Sequence, residues 1–228
     1  MKQKNLKYLY IILGISMTLV LLLTAVEIVA FNIDHYRASF QKYNITEATG
    51  MDMVNLEHTT KDLLDYLKDK KDELDTEAIV HGEQRVVFGE RERLHMVDVK
   101  DLFIAGKRIR NLSAVIYIIF VVLISYLDDN WKRNLSKTLI KTAIANGILL
   151  AILFVLMLTD FTKYFDYFHY IFFDNDLWIL DPEKEILIQM LPEGFFYDTA
   201  TKIISIFVGS LVIFGGAGYW NIRKLGKR

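Results

Sequence analysis

Apolar residues gather in four long runs, and the rest of the chain is arranged around them. The first run covers residues 8–30 and is broken only by Ser16, Thr18, Thr24 and Glu27. The second covers 112–127, the third 139–158 with Lys141 near its start, and the fourth 203–220. A helix needs about 20 residues to cross a hydrocarbon core ~30 Å thick. The second and fourth runs are slightly short, and Tyr117, Tyr126 and Trp220 are placed to anchor them at an interface. A cleaved signal peptide is the rival reading of the first run. Its apolar stretch is long for that and no small-x-small site follows, so it is expected to be a retained helix. The fourth run ends in Gly215-Gly216-Ala217-Gly218, small residues that let helices approach closely.

Two longer polar segments separate the runs. Residues 32–110 are too many for a bare loop, so this segment is expected to fold. Thr59 or Thr60 reads as the cap of a helix through 62–67, with Leu63, Leu64 and Leu67 on one face as a packing element or lid. Gln84-Arg85-Val86-Val87-Phe88 has strand character. A second helix is expected from about 91 to 110, leading into the second run, with His95, Val99, Leu102 and Phe103 near one stripe. In the other segment, 160–202, eight of the 13 residues from 161 to 173 are aromatic, and Phe161, Tyr164, Phe165, Phe168 and Phe172 fall at helical spacing. That pattern reads as an aromatic belt at a membrane interface. Asp174-Asn175-Asp176-Leu177-Trp178 is a polar break, and Asp181-Pro182-Glu183 a turn or helix start. Residues 186–191 read as an amphipathic stretch in the membrane plane, and 191–196 as a second break before the fourth run.

The net charge of −1 hides a segregation. Lys2, Lys4 and Lys7, then Lys132, Arg133, Lys137 and Lys141, then Arg223, Lys224, Lys227 and Arg228 make 11 of the 27 bases, beside only Asp128 and Asp129. Residues 32–110 carry −3 and 160–202 carry −6. The positive-inside rule then puts both termini in the cytoplasm and these two segments outside. Lys107, Arg108 and Arg110 lie just outside the second run against that trend, where they can meet anionic headgroups. Short juxtamembrane basic clusters explained by topology give no reason to expect nucleic-acid binding.

With 53% hydrophobic residues and two prolines, the chain is not disordered. It has no cysteine, which excludes disulfides, a thiol nucleophile and Cys-ligated metal sites. All five histidines fall in the two outer segments. His35, His58 and His81 read as surface or structural. His95 and His169 stand near the expected outer membrane boundary, where a titratable group among rings has either a polar partner or a function. Asp98 follows His95 by three residues, so its carboxylate could support the imidazole on a helix. No HExxH pair and no G-x-S-x-G occurs, so zinc and serine-hydrolase readings are weak. Ser39 is the one clearly external serine and has no supporting motif. Glu27, inside the first run, is either functional or paired with an interfacial base.

Two stretches are more specific than composition. One runs from Glu92 through Leu94-His95-Met96-Val97-Asp98-Val99 to Lys100-Asp101-Leu102. The other is Phe168-His169-Tyr170-Ile171-Phe172-Phe173-Asp174-Asn175-Asp176-Leu177-Trp178, continued by Leu187-Ile188, Leu191-Pro192 and Phe195-Phe196-Tyr197-Asp198. With the four-span layout, they resemble the lipoprotein intramolecular transacylases of low-GC Gram-positive bacteria. The resemblance implies a membrane enzyme that moves the sn-2 acyl chain of a diacylglyceryl-cysteine lipoprotein onto its α-amino group, giving a lyso-form lipoprotein. It implies His95 and His169 as catalytic residues and diacylglyceryl-modified lipoproteins and membrane lipids as partners; acid–base work by two histidines needs no cofactor or metal. Asp98, Asp174, Tyr197 and Glu27 are possible supporting groups. A non-catalytic membrane sensor or assembly subunit with an outer binding domain is the alternative.

The expected fold is mainly α: a four-transmembrane-helix bundle with an extracytoplasmic cap between helices 1 and 2. The expected divisions are 1–31 (N-terminus and first span), 32–110 (cap), 111–159 (second span, cytoplasmic loop and third span), 160–202 (aromatic-rich outer segment) and 203–228 (fourth span and tail).

Overall fold

The computed structural model describes residues 2–226. Lys227, Arg228 and the side chains of Lys2 and Lys4, which belong to the basic clusters above, lie outside what is described. In chain order the elements are α1 (Lys2–Ala30), α2 (Ile33–Lys42), α3 (Ile45–Thr49), α4 (Met53–Leu67), β1 (Glu77–Val80), β2 (Glu83–Val86), α5 (Glu90–Leu127), α6 (Trp131–Thr159), α7 (Phe161–Phe172), α8 (Ile186–Met190) and α9 (Glu193–Leu225). The chain divides into two compact units. One holds 1–27, 107–159 and 202–228; the other holds 28–106 and 160–201.

Four helices, α1, α5, α6 and α9, are long and apolar enough to cross a membrane. In the first unit their apolar side chains mostly point outward: Ile118, Ile144, Val212 and Ile213 are all more than half exposed. A water-soluble surface does not tolerate apolar area on that scale, so lipid is the medium that covers it. At 1.5 Å per residue α5 is about 57 Å long, nearly twice the hydrocarbon thickness. Only its apolar part, 112–127, is needed to span.

Polar stitches and small residues hold this unit together. Thr18 accepts a hydrogen bond from Asn146 Nδ2 (2.9 Å), and Ser136 accepts one from Asn221 Nδ2 (2.8 Å). Tyr10 donates to Asp128 (2.7 Å), which also takes Asn134 Nδ2 (2.8 Å). A Cβ at Gly218 would stand 2.7 Å from the Ser136 carbonyl, so α9 meets α6 at that point only through glycine. Ala25, Leu150, Phe207 and Leu211 form the buried apolar centre. Glu27 is ion-paired to Arg110, the interfacial-base alternative for that residue.

The second unit is built the other way round, with its apolar residues inside. Phe40, Ile45, Met51, Leu56, Leu63, Val87, Phe88 and Met190 are almost fully buried. α4 carries much of this core, but it starts earlier than Thr59 or Thr60. Asp52 caps it by accepting from the Asn55 N–H (2.8 Å), and both threonines are buried mid-helix, Thr60 donating to the Leu56 carbonyl (2.7 Å). The apolar rhythm is dense only from Leu63 onward, so periodicity placed the start about two turns late. The strand character at 83–88 is real over Glu83–Val86. It pairs antiparallel with β1, with Val80 opposite Glu83 across a two-residue turn. His81 and Gly82 both have positive φ (52° and 83°), as a type I′ hairpin requires.

Two expectations are corrected. The 186–191 stretch does not lie in a membrane plane: Ile186, Leu187, Met190 and Leu191 are buried in the core of this unit. A short apolar face satisfies either a lipid surface or a protein core, and sequence does not say which. The break at 191–196 is only Leu191-Pro192, because α9 begins at Glu193 and runs on without interruption.

Candidate active site

The second unit brings His95 and His169 together. His95 lies on the second turn of α5 and His169 near the end of α7, and their ring centroids are 6.1 Å apart. α7 is capped by Asp160, which accepts from the Lys163 N–H (3.1 Å). Its exposed face carries Tyr167, Phe168, Tyr170, Ile171 and Phe172, whereas His169 points inward and is 7% exposed.

His169 Nδ1 lies 2.8 Å from the Phe165 carbonyl. A carbonyl only accepts, so Nδ1 carries the proton and Nε2 is the free basic nitrogen of the neutral ring. The imidazole stacks on Trp178 (4.6 Å, 21°) and meets Phe165 edge-on (4.5 Å, 88°). Phe173 touches both histidines, at 5.3 Å from His95 and 5.7 Å from His169. His95 is 8% exposed, and its Nδ1 is buried with no hydrogen-bond partner among the described residues. Burial, reinforced by the neighbouring His169 and partly offset by Asp98, pushes His95 down to about 4. Burial also lowers His169, against the Phe165 carbonyl and Asp166, which favour its protonated form. At neutral pH the site therefore holds two uncharged imidazoles walled by rings, able to accept protons where water is scarce. Among the described residues no group of three or more His, Asp and Glu side chains is placed to hold a metal ion.

Residues 11–196, which include both histidines, match the family described as lipoprotein intramolecular transacylase Lit. The chain belongs to the lipoprotein intramolecular transacylase family. Its fold is also that of the membrane integral lipoprotein intramolecular transacylase Lit from Bacillus cereus. The TM-score is 0.76 at 22% identity, over 97% of this chain and 98% of that one. A form of the Bacillus cereus protein with a histidine-to-alanine substitution matches with TM-score 0.76 at 21% identity, over 99% and 98% of the two chains. An uncharacterized protein of Aquifex aeolicus is 32% identical over 131 residues, 57% of this chain and 56% of that protein. The match thus spans just over half the length of that curated relative.

The other residues singled out from the sequence of this transacylase-family chain fall in several places. Asp98 makes no hydrogen bond to His95. It accepts from Asn175 Nδ2 (2.9 Å) and reaches the imidazole only through its charge. Asp174 is exposed and makes no hydrogen bond or ion pair among the described residues. Tyr197 meets Phe161 edge-on (5.4 Å), Phe161 stacks on Phe165 (5.6 Å), and Phe165 meets His169, so Tyr197 stands two rings away from the pair. Glu27 belongs to the first unit with Arg110. His35 is buried, its Nε2 donating to Thr199 (2.7 Å), whose own hydroxyl donates to the Phe195 carbonyl. His58 is exposed near Asp62 (3.9 Å), and His81 sits in the hairpin turn.

Three neighbours of the pair were not recognised from the sequence. Glu92, one turn before His95, is 2% exposed and accepts from two backbone N–H groups, Gly89 (2.5 Å) and Leu187 (2.6 Å). It supplies the return half of a capping box at the start of α5, with Gly89 offering no side chain for the other half, and also ties that turn to α8. Burial raises its carboxyl above the usual range despite these bonds. The spacing Gly89-x-x-Glu92 was the available signal. Asn175 and Trp178 lie in the second specific stretch, but their roles were not legible: Asn175 reaches Asp98, 77 positions earlier, and Trp178 folds back onto His169.

Proposed function

We propose that this chain transfers the sn-2 acyl group of a diacylglyceryl-cysteine lipoprotein to that cysteine's own α-amino group, with His95 and His169 moving the protons. The observation that carries this is the pair of buried, uncharged imidazoles 6.1 Å apart in a ring-lined site.

Proton balance makes two bases useful. An α-ammonium loses two protons on becoming an amide N–H. One ends on the sn-2 oxygen as the ester C–O bond breaks, and the other goes to solvent. One neutral histidine frees the amine to attack the ester carbonyl. The second takes the next N–H proton from the tetrahedral intermediate, while the imidazolium formed first protonates the leaving oxygen. Donor and acceptor belong to one molecule, so the substrate supplies its own effective molarity and no enzyme nucleophile is needed. A chain without cysteine and without a serine-hydrolase motif suits that scheme. Positive-inside topology supports an outer-face site in a multi-pass membrane protein with cytoplasmic termini. The segments that carry the histidines would then form an extracytoplasmic cap at headgroup depth, where the reacting ester lies.

The test is mass spectrometry of a reporter lipoprotein's N-terminal lipopeptide, from a host lacking its usual N-acyltransferase. An N-acyl, mono-ester species is expected with the intact protein and not with His169→Ala. A diacylglyceryl peptide with a free amine, despite good membrane expression, would overturn the proposal in favour of a sensor or assembly role.

A further inference from the structure

Arg91, His95 and Asp98 stand at i, i+4 and i+7 on α5 and so share one face of the helix. The loop after α7 is fastened to that face on both sides of His95. Arg91 hydrogen-bonds the Asp176 carbonyl, and its guanidinium is 3.9 Å from the Asp176 carboxylate. On the other side Asn175 Nδ2 donates to Asp98 (2.9 Å). Asn175 also organises the loop itself. Its Oδ1 accepts from the Leu177 N–H (3.0 Å), and its carbonyl accepts from the Trp178 indole N–H (3.0 Å). Trp178 in turn stacks on His169 at 4.6 Å. An unbroken set of contacts therefore runs from the helix that carries one histidine to the ring that fixes the other.

We infer that Asp98 and Asn175 are positioning residues: they strap the 174–178 loop to α5, hold Trp178 against His169 and so set the orientation of His169 towards His95. This rests on the reading of the two histidines as the reacting pair. Asp98 then acts as a hydrogen-bond acceptor for Asn175 and not chiefly as a charge beside His95. The same chemistry explains why an asparagine stands at 175. A primary amide does both with separate atoms, its NH2 donating to the carboxylate while its oxygen accepts from a backbone N–H. A swung indole would leave His169 free to rotate, and small errors in geometry at reacting groups cost about 100-fold in rate.

The experiment measures turnover of a synthetic diacylglyceryl-cysteine peptide by the full chain in detergent micelles, with melting curves for every variant. Asp98→Ala and Asn175→Ala are each expected to lower kcat about tenfold with KM and melting temperature little changed. The double variant should lose no more than either alone, since both cut one strap. Asp98→Asn retains an amide oxygen that accepts from Asn175, so it should recover most of what Asp98→Ala loses. If Asp98→Asn is as damaged as Asp98→Ala while Asn175→Ala is normal, Asp98 acts through its charge and the strap is wrong. Normal turnover in Asn175→Ala beside an inactive His169→Ala overturns the strap and leaves the histidine pair standing. Normal turnover in His169→Ala overturns both.

Discussion

The two units differ in how completely their polar groups are answered. In the first, each interior polar group described above is answered by another: Thr18 by Asn146, Ser136 by Asn221, Asp128 by Tyr10 and Asn134, Glu27 by Arg110. The second holds answered groups too, Glu92 and Thr60 among them, but four buried side-chain atoms have no hydrogen-bond partner among the described residues: Ser39 Oγ, Thr59 Oγ1, Gln189 Oε1 and His95 Nδ1. A satisfied buried group contributes to holding helices together. An unsatisfied one costs stability, and a fold retains it where chemistry needs an unoccupied proton acceptor. Of the four unanswered atoms only the imidazole nitrogen can take up a proton in acid–base chemistry, so lack of a partner points to chemistry only where the group is itself a base.

The largest expected effect separates the units outright. His95→Ala and His169→Ala should each reduce turnover by about 10² to 10⁴, the range for losing a general acid or base, with little change in melting temperature. Asn146→Ala should do the reverse, leaving turnover intact and destabilising the bundle by about 0.6 kcal/mol, the usual size of an interhelical hydrogen bond in a membrane. Activity loss and melting curves on the same purified variants check both. A stable, fully active His95→Ala protein would erase the distinction.

Glu92 tests it from inside the second unit, because it is a buried polar group that is satisfied. Glu92→Ala strips two backbone N–H groups of their acceptor and should destabilise the protein by about 2–3 kcal/mol, read from denaturation midpoints. Glu92→Gln keeps one acceptor oxygen and should fall between. If both melt like the parent, the tie between α5 and α8 is not holding the site.

A subtler effect concerns pH. His95 is held down to about 4, whereas a solvated histidine titrates near 6.5. As pH falls between these values the unfolded chain takes up a proton that the folded chain refuses, so this group subtracts stability through that window. Turnover that needs the neutral imidazole should correspondingly persist below pH 6.5. Phe173→Ala, which opens the edge of His95 to water, should move the acid limb of the rate profile upward. A parent limb centred at 6.5 would mean that the site is wet. The smallest effect is reserved for His58→Ala: an exposed histidine away from such features should change neither stability by more than about 0.5 kcal/mol nor rate.

Much of this was legible in the residues themselves. Apolar runs of 16 to 23 residues have few destinations other than lipid, and the uneven placement of bases gives them a direction. His95 and His169 could be singled out because each sits in an unusual local context, one beside a short acidic pattern and one inside an aromatic run. That the two meet could not be read, since they lie 74 positions apart and spacing along a chain says nothing about closure of so long a loop. For the same reason the sequence offered Asp98 only as a support for the imidazole one turn away, and its hydrogen bond to Asn175, 77 positions on, could not be read. The 186–191 stretch shows the same limit for apolar faces, because burial against Phe40 or Met51 and burial in lipid demand the same pattern. Sequence determined which segments must leave water and which side chains can carry a proton. Only tertiary structure decided which of those side chains share a site, because hydrogen bonds and ring contacts act over a few ångströms of space, whatever their distance along the chain.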